Sequence, residues 1–301
     1  KTRHLFTVGE CWAGDIEEIE RHCAAEREEL STLFQFDHME CGRTEKFTPK
    51  EDSLRTVRDV LIRWQEKTAE YDLLQSLFSD NHDQPPLISR AADDGEKRYE
   101  SATCLAAMFY LLKGVPFIYQ GQEFGQTAAH YDSIDCFDDI ESINTYAEFC
   151  QSMPDETALE KINFGSRDNA RHPMAWDASA GGGFSAAKAW IPLHSRRKEI
   201  NLEADLAADK SVFRFYQQLL KLRCEEDVFL DGSFDVISAP EDEYFIFTRT
   251  LGQEKWAVVC NFAQETTFEL PFDGKVILSN FERVEASGKY QAYECAVIRT
   301  F

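Results

Sequence analysis

The chain has 301 residues, 43% hydrophobic and 13% aromatic, a composition that excludes disorder and allows one large domain plus a smaller one. A formal charge of -22 excludes binding to nucleic-acid backbones, which call for basic patches, and favours a neutral or cationic ligand. Nine cysteines, an odd number with no C-x-x-C pair, read as reduced core residues of a cytoplasmic protein rather than a disulfide or zinc framework.

In chain order, residues 4–10 read as a short apolar strand ending on Gly9 and Glu10, already in progress at its first residue as if cut from a longer protein. An acidic helix is expected over 14–29, then a second strand over 31–39 with a polar end at Asp37 and His38. Leu54, Val57, Leu61 and Trp64 recur at helical spacing within 49–68, where Pro49, Glu51 and Asp52 favour a helix start. A third strand over 71–83 delivers Asn81, His82 and Asp83, with Pro85 and Pro86 behind them. The run 99–114 is apolar nearly all round, as a buried helix is, and Gly114 stops it. Its apolar core is too short to cross a bilayer, and the first residues do not read as a signal peptide, so no membrane is expected.

A fourth strand over 115–125 again ends in polar residues and glycines. Strands and helices in alternation, with every polar cluster at a strand's C-terminal end, predict a parallel βα array, and four such strands are half of an eightfold barrel. Residues 126–210 read as a long, acidic, loop-rich segment, a length that inside a compact enzyme points to function. The stretch 131–142 lacks calcium-loop spacing and the glycines at 181–183 lack a following Lys and Ser/Thr, so neither a metal nor a phosphate-bearing cofactor is expected. A helix over 211–224 follows, and after residue 226 six short β-branched and aromatic runs predict an antiparallel sandwich.

Glu10 and Asp83, each closing a strand, would face one cleft of a parallel barrel. Paired carboxylates across a cleft are the equipment of glycoside hydrolysis, whereas an ion-pair role for either residue is the competing reading. Asn81, His82 and Asp83 beside two prolines also make an ordinary turn. Arg167 and Arg171, in the long segment, either reach the cleft to position a hydroxyl or carboxylate or brace their own loop.

The segments "FTVGE", "NHDQP" and "GVPFIYQGQEFG", in this order and separation, resemble the later conserved segments of the alpha-amylase superfamily, glycoside hydrolase family 13. "SRDNARHPMAWD" followed by "GGGFS" and "AWIPL" is similar to the long loop after the eighth strand in the oligo-1,6-glucosidase and α-glucosidase branch. The resemblance implies an α/β chain. Residues 1–226 would be the C-terminal half of a (β/α)8 TIM barrel, strands five to eight with the long loop, and residues 227–301 an antiparallel β-sandwich domain. It implies that Glu10 is the general acid/base of a retaining mechanism, with a neighbourhood that raises its pKa and Trp12 as a candidate apolar wall. Asp83 would grip the sugar ring and stabilise an oxocarbenium-like transition state, His82 would donate to a hydroxyl of the same sugar, and Asn81 would hold the turn. Glu123 resembles a residue that supports the barrel with its charge paired. The implied substrate is an oligosaccharide of the α-glucoside class, with no cofactor.

The family's nucleophilic aspartate lies on the fourth strand, two residues after an arginine, whereas this chain opens at the fifth. The polypeptide alone is therefore expected to be inactive. Pro86 stands where relatives usually carry Arg, and His172 and Ala175 where Thr and Gln are common. A catalytically inactive amylase-like binding or interaction protein is the alternative; the presence of Glu10, His82 and Asp83 together favours the enzyme. Four βα units leave two open parallel edges, so a homodimer, pairing with the other barrel half, or cover by the chain's own long loop and C-terminal sheet is a third expectation.

Overall fold

The computed structural model describes residues 5–12, 15–50, 53–262 and 264–301. Glu51 and Asp52, read as helix-start residues, lie outside the described residues, as do His4, Gly14 and Ala263 at the ends of expected elements. Strands β1 (Val8–Glu10) and β2 (Thr32–Phe34) pair in parallel, with Glu10 opposite Phe34. Between them α1 (Ile16–Cys23) begins at Asp15, whose carboxylate accepts from the Glu18 amide at 2.9 Å, and buries Ile16 and Ile19. A hairpin of β3 (Arg43–Glu45) and β4 (Thr48–Pro49) leads to α2 (Ser53–Glu70), which buries Leu54, Val57, Leu61 and Trp64 as their spacing demands.

Strand β5 (Ser76–Leu77) and, after α3 (Leu87–Ala91) and α4 (Arg98–Tyr110), strand β6 (Val115–Pro116) make a second parallel pair. The Thr32 hydroxyl, 2.6 Å from the Leu74 carbonyl and 3.0 Å from Ser76 Oγ, sets β2 beside β5. Helix α4 is buried on every side from Ser101 to Tyr110. Just before β6, Gly114 has φ +149°, and a Cβ there would collide with the Gln75 carbonyl, so only glycine lets β6 close on β5.

These strands are two or three residues long, shorter than the runs read from the sequence. Beyond Leu77 the chain leaves the ladder, and side chains take up amides of the bend and helix start that follow. Asn81 Oδ1 accepts from Asp83 N at 2.9 Å, and Asp80 Oδ1 from Leu87 N at 2.6 Å. Asn81, His82 and Asp83 thus lie in a bend past β5 and not on the strand itself.

The segment 126–210, expected to be loop, contains α5 (Ile140–Phe149), α6 (Asp155–Gly165), α7 (Asp168–Arg171) and α8 (Leu202–Ala207). Helix α5 hides from pattern reading because Ile140 is 65% exposed and its inner face combines the buried Ser142 with the half-buried Tyr146 and Phe149, so the apolar residues do not form one stripe. Phe47, Ala129, Tyr131, Phe137, Ile162 and Ile191 give this segment a small core of its own.

Helix α9 (Val212–Glu225), capped by the Ser211 hydroxyl on the Arg214 amide at 3.2 Å, packs on α4 and is followed by α10 (Val228–Asp231). The remaining strands are β7 (Ser233–Val236), β8 (Tyr244–Leu251), β9 (Glu254–Asn261), β10 (Thr266–Phe268), β11 (Gly274–Ser279), β12 (Gly288–Tyr290) and β13 (Cys295–Thr300). Five form an antiparallel sheet in the order β11-β13-β9-β8-β7, and β10 pairs with β12 as a separate antiparallel ribbon. Alternation along the strands sends Phe245, Phe247, Trp256, Val258, Cys260 and Val297 into one core with α4, and Ile246, Ala257, Val259 and Ile298 into another against the ribbon residues Phe268 and Tyr290.

Two buried arginines tie the sheet and α9 to the end of α4. Arg249 donates to the carbonyls of Leu111 at 2.8 Å, Phe229 at 3.0 Å and Gly232 at 2.8 Å, and Arg223 to those of Tyr110 and Leu112, each at 2.8 Å. These guanidinium groups satisfy carbonyls that a helix C-terminus leaves without intrahelical partners. All nine cysteines are free thiols, and no described helix is long and apolar enough to cross a membrane.

Candidate active site

The C-terminal ends of β1, β2, β5 and β6 converge on a cleft of about 230 Å³ lined by Glu10, Asp80, His82 and Tyr119 and walled by Phe34, Phe36, Phe78 and Phe117. Glu10 reaches it because it is the last residue of β1; the preceding Gly9 leaves room for the Leu33 and Leu30 side chains, which a Cβ would meet. The phenylalanines interlock edge to face, Phe34 with Phe78 at 5.0 Å and with Phe117 at 4.7 Å, giving the cleft a stiff apolar wall. Trp12, the expected wall beside Glu10, does not line the cleft. It stacks on Phe36 at 4.5 Å and lines a separate groove with Asp37, Arg63 and Trp64. The wall was not legible as such because Phe34, Phe36, Phe78 and Phe117 come from three different strand regions.

His82 lies on the cleft and Asp83 beside it, with His82 Nε2 3.3 Å from Asp83 Oδ2. Both arginines from the long segment come to this carboxylate, Arg171 Nη2 at 2.7 Å and Arg167 Nη1 at 3.7 Å from Asp83 Oδ1. Arg171 also donates from Nε to the His82 carbonyl at 2.8 Å, so one guanidinium fixes both residues. Arg167 is shared, since its Nε donates to Asp139 Oδ1 at 2.9 Å. Burial raises the Asp139 carboxyl, but hydrogen bonds from Ser142 and Arg167 outweigh it and hold the group below the usual carboxylate range. Arg167 and Arg171 therefore tie their loop to Asp83 beside the cleft, and neither is among the cleft's lining residues.

Asn81 holds the turn through its bond to Asp83 N, and Pro86 sits at the head of α3, where a proline's fixed φ suits a helix start. Glu123, expected to have its charge paired, has no ion pair among the described residues. Its Oε2 is buried without a hydrogen-bond partner and burial pushes its carboxyl up. Gln122 beside it carries the polar network behind the cleft: its Nε2 lies 2.6 Å from Ser79 Oγ, 2.7 Å from Tyr110 Oη and 3.0 Å from Tyr216 Oη. Asp80 and Gln122 carried no sequence signal of their own, one lying just ahead of the histidine and the other inside a turn. Among the described residues no group of three or more His, Cys, Asp or Glu side chains is placed to hold a metal ion.

A carboxylate at the end of β1 and a histidine in the bend past β5 thus meet on one aromatic-walled cleft, with an arginine-braced acid beside the histidine. Residues 1–232 match the alpha-amylase catalytic-domain family, and the chain belongs to that family. It is similar to the oligo-1,6-glucosidase of Halalkalibacterium halodurans, at 38% identity over 96% of this chain and 53% of that protein. It is also similar to the trehalose-6-phosphate hydrolase of Bacillus subtilis, at 33% identity over 98% of this chain and 55% of that protein. The crystal structure of the Bacillus licheniformis trehalose-6-phosphate hydrolase superposes with a TM-score of 0.94 at 32% identity, covering 98% of this chain and 56% of that one. The chain spans about half the length of the curated relatives it matches.

Proposed function

We propose that this chain is part of a retaining glycoside hydrolase acting on short α-glucosides, of the α-glucosidase or oligo-1,6-glucosidase type. Glu10 is its general acid/base, and Asp83 is the carboxylate that tightens on the sugar as positive charge develops. The observation that carries this reading is the meeting of Glu10 and His82 on one phenylalanine-walled cleft, with Asp83 beside His82 and braced by two arginines. His82 donates to a hydroxyl of the bound sugar, Arg167 and Arg171 orient Asp83 and approach the substrate, and the aromatic wall takes the apolar faces of the ring. An uncharged oligosaccharide also suits a chain of net charge -22. The chemistry calls on no metal or cofactor.

In this reading residues 1–226 are the C-terminal half of a (β/α)8 barrel and residues 227–301 a C-terminal antiparallel β domain. The nucleophile comes from outside these 301 residues, so the polypeptide by itself does not turn over. Among the described residues β1 pairs with β2 and β5 with β6, each strand having a single paired neighbour, and unpaired parallel edges need a cover. A complementary barrel half or a second copy of the chain supplies it. Nine free thiols fit a reducing, cytoplasmic setting.

The test combines the purified chain with the amino-terminal half of the Halalkalibacterium halodurans oligo-1,6-glucosidase and follows release of p-nitrophenol from p-nitrophenyl α-glucoside. The pair is expected to turn over and the chain alone to be inert. Glu10→Gln in the pair should lower kcat about 10²–10⁴-fold, the range for loss of a general acid. Turnover by the isolated chain would defeat the claim of an external nucleophile. Sugar binding without turnover in every combination would favour an inactive amylase-like binding protein. Sedimentation of the chain as a monomer at micromolar concentration would remove the homodimer.

A further inference from the structure

The turn that carries Asn81, His82 and Asp83 is held at each end by side chains, and the tightest of these contacts belongs to a residue that the reading above does not use. Asp80 lines the cleft, and its Oδ1 accepts from the backbone amide of Leu87, seven residues on, at 2.6 Å. Leu87 is the first residue of α3 and fully buried, so its amide is a fixed point. Everything between the two is a loop with no strand or helix to shape it. Besides the ion pairs at Asp83, its contacts include the Asn81 bond to Asp83 N, the Arg171 bond to the His82 carbonyl, the Arg43 bond to Gln84 at 2.8 Å and the Arg90 bond to the Pro85 carbonyl at 3.0 Å. Asp80 Oδ2 faces Ser79 Oγ at 3.2 Å, and that hydroxyl accepts from Gln122, which joins the loop's base to the buried network of Tyr110 and Tyr216.

We propose that Asp80 is a positioning residue, closing the 80–87 loop on the first amide of α3 and thereby fixing His82 and Asp83 against the cleft. The proposal rests on the hydrolase reading for its consequence in turnover, but not for the geometry itself. What the Leu87 amide requires is an acceptor, not a charge. Burial pushes the Asp80 carboxyl above its usual range, and the Leu87 amide, the nearby Arg90 charge and the Ser79 hydroxyl only partly oppose this. An amide side chain of the same length therefore satisfies the contact, while a longer carboxylate keeps the charge and displaces the oxygen. Loop closure of this kind acts on catalysis through geometry, because a small misplacement of a reacting group forfeits much of the advantage of proximity.

The test has two arms. In the isolated chain, backbone amide exchange and the His82 ring resonances are followed by NMR for Asp80→Ala, Asp80→Asn and Asp80→Glu, with the Val258 and Val259 amides of β9 as an internal standard. Asp80→Ala is expected to speed exchange at Leu87 at least tenfold and shift the His82 ring signals with β9 unchanged, whereas Asp80→Asn stays close to the native chain. Should Asp80→Ala fail to fold, the comparison of the other two decides: positioning puts Asn nearer native than Glu, and a role through charge puts Glu nearer native than Asn. In the second arm the reconstituted pair is assayed on p-nitrophenyl α-glucoside, where the loss should fall on kcat with KM little changed and should be recovered in Asp80→Asn. A native Leu87 exchange rate and native His82 signals in Asp80→Ala would overturn the proposal. Absence of turnover in the native pair would instead overturn the hydrolase reading, leaving the NMR arm to decide the role of Asp80.

Discussion

Arg171 is where the candidate site depends most on a single side chain, because its Nε and Nη2 hold the His82 carbonyl and the Asp83 carboxylate at 2.8 Å and 2.7 Å. A lysine ammonium cannot span both acceptors in one plane. Arg171→Lys in the reconstituted pair is therefore expected to lower kcat/KM on p-nitrophenyl α-glucoside about tenfold to hundredfold, the worth of one charge-assisted hydrogen bond. An unchanged value would return Arg171 to a loop brace. Away from the cleft, burial pulls the pKa of both His38 and His194 down to about 3, and each has a neighbouring cationic or titrating group, Arg90 for His38 and His172 for His194, that acts the same way. Folded pKa values below the unfolded value mean that their stabilisation is complete above about pH 6.5 and is lost as pH falls from there towards 3. Each is expected to cost about 1.4 kcal/mol between pH 7.5 and 5.5, read from urea midpoints. Asp80 and Glu123, whose carboxyls are raised, push the opposite way as pH falls, so ring NMR is the cleaner check: neither buried imidazole should titrate above pH 5.

At the scale of elements, the helices α2, α4 and α9 and the long strands β8 and β9 were legible because burial of a stripe, or of the whole surface, leaves a period in the sequence. Helix α5 was not, since Ile140 and Ile143 point outward and its start is set by Asp139 accepting from the Ser142 amide at 3.2 Å inside an acidic run. The cleft was half legible. Glu10, His82 and Asp83 sit in recognisable local sequence, while the aromatic wall and the Gln122 network are assembled from segments far apart in the chain. Gly114 shows the same limit in a single residue: the sequence marks it as a helix stop, but its larger task is to let β6 reach β5. Gly114→Ala is expected to cost at least about 2 kcal/mol in urea denaturation at unchanged m, since it meets both a strained φ and the Gln75 carbonyl.

Across the whole molecule, the main hydrophobic core runs without a break from Ile16 and Leu33 through α4 to Trp256, Val258 and Val297. The proposed division after residue 226 is thus a change of architecture and not a gap in packing. Residues 227–301 expressed alone would expose Phe245, Phe247 and Trp256 and are expected to lack a cooperative thermal transition by circular dichroism. Loss of the Arg249 head group would strip the Leu111, Phe229 and Gly232 carbonyls of their buried donor, so Arg249→Met should cost about 3 kcal/mol or more in the intact chain.

That same arginine joins residues 138 positions apart in sequence. On a ribosome, the end of α4 is made long before the guanidinium that finishes it. The Leu111 carbonyl must be satisfied by water or another donor until Arg249 has been synthesised. The C-terminal sheet is therefore a clasp on the end of α4, made by residues that follow that helix in synthesis.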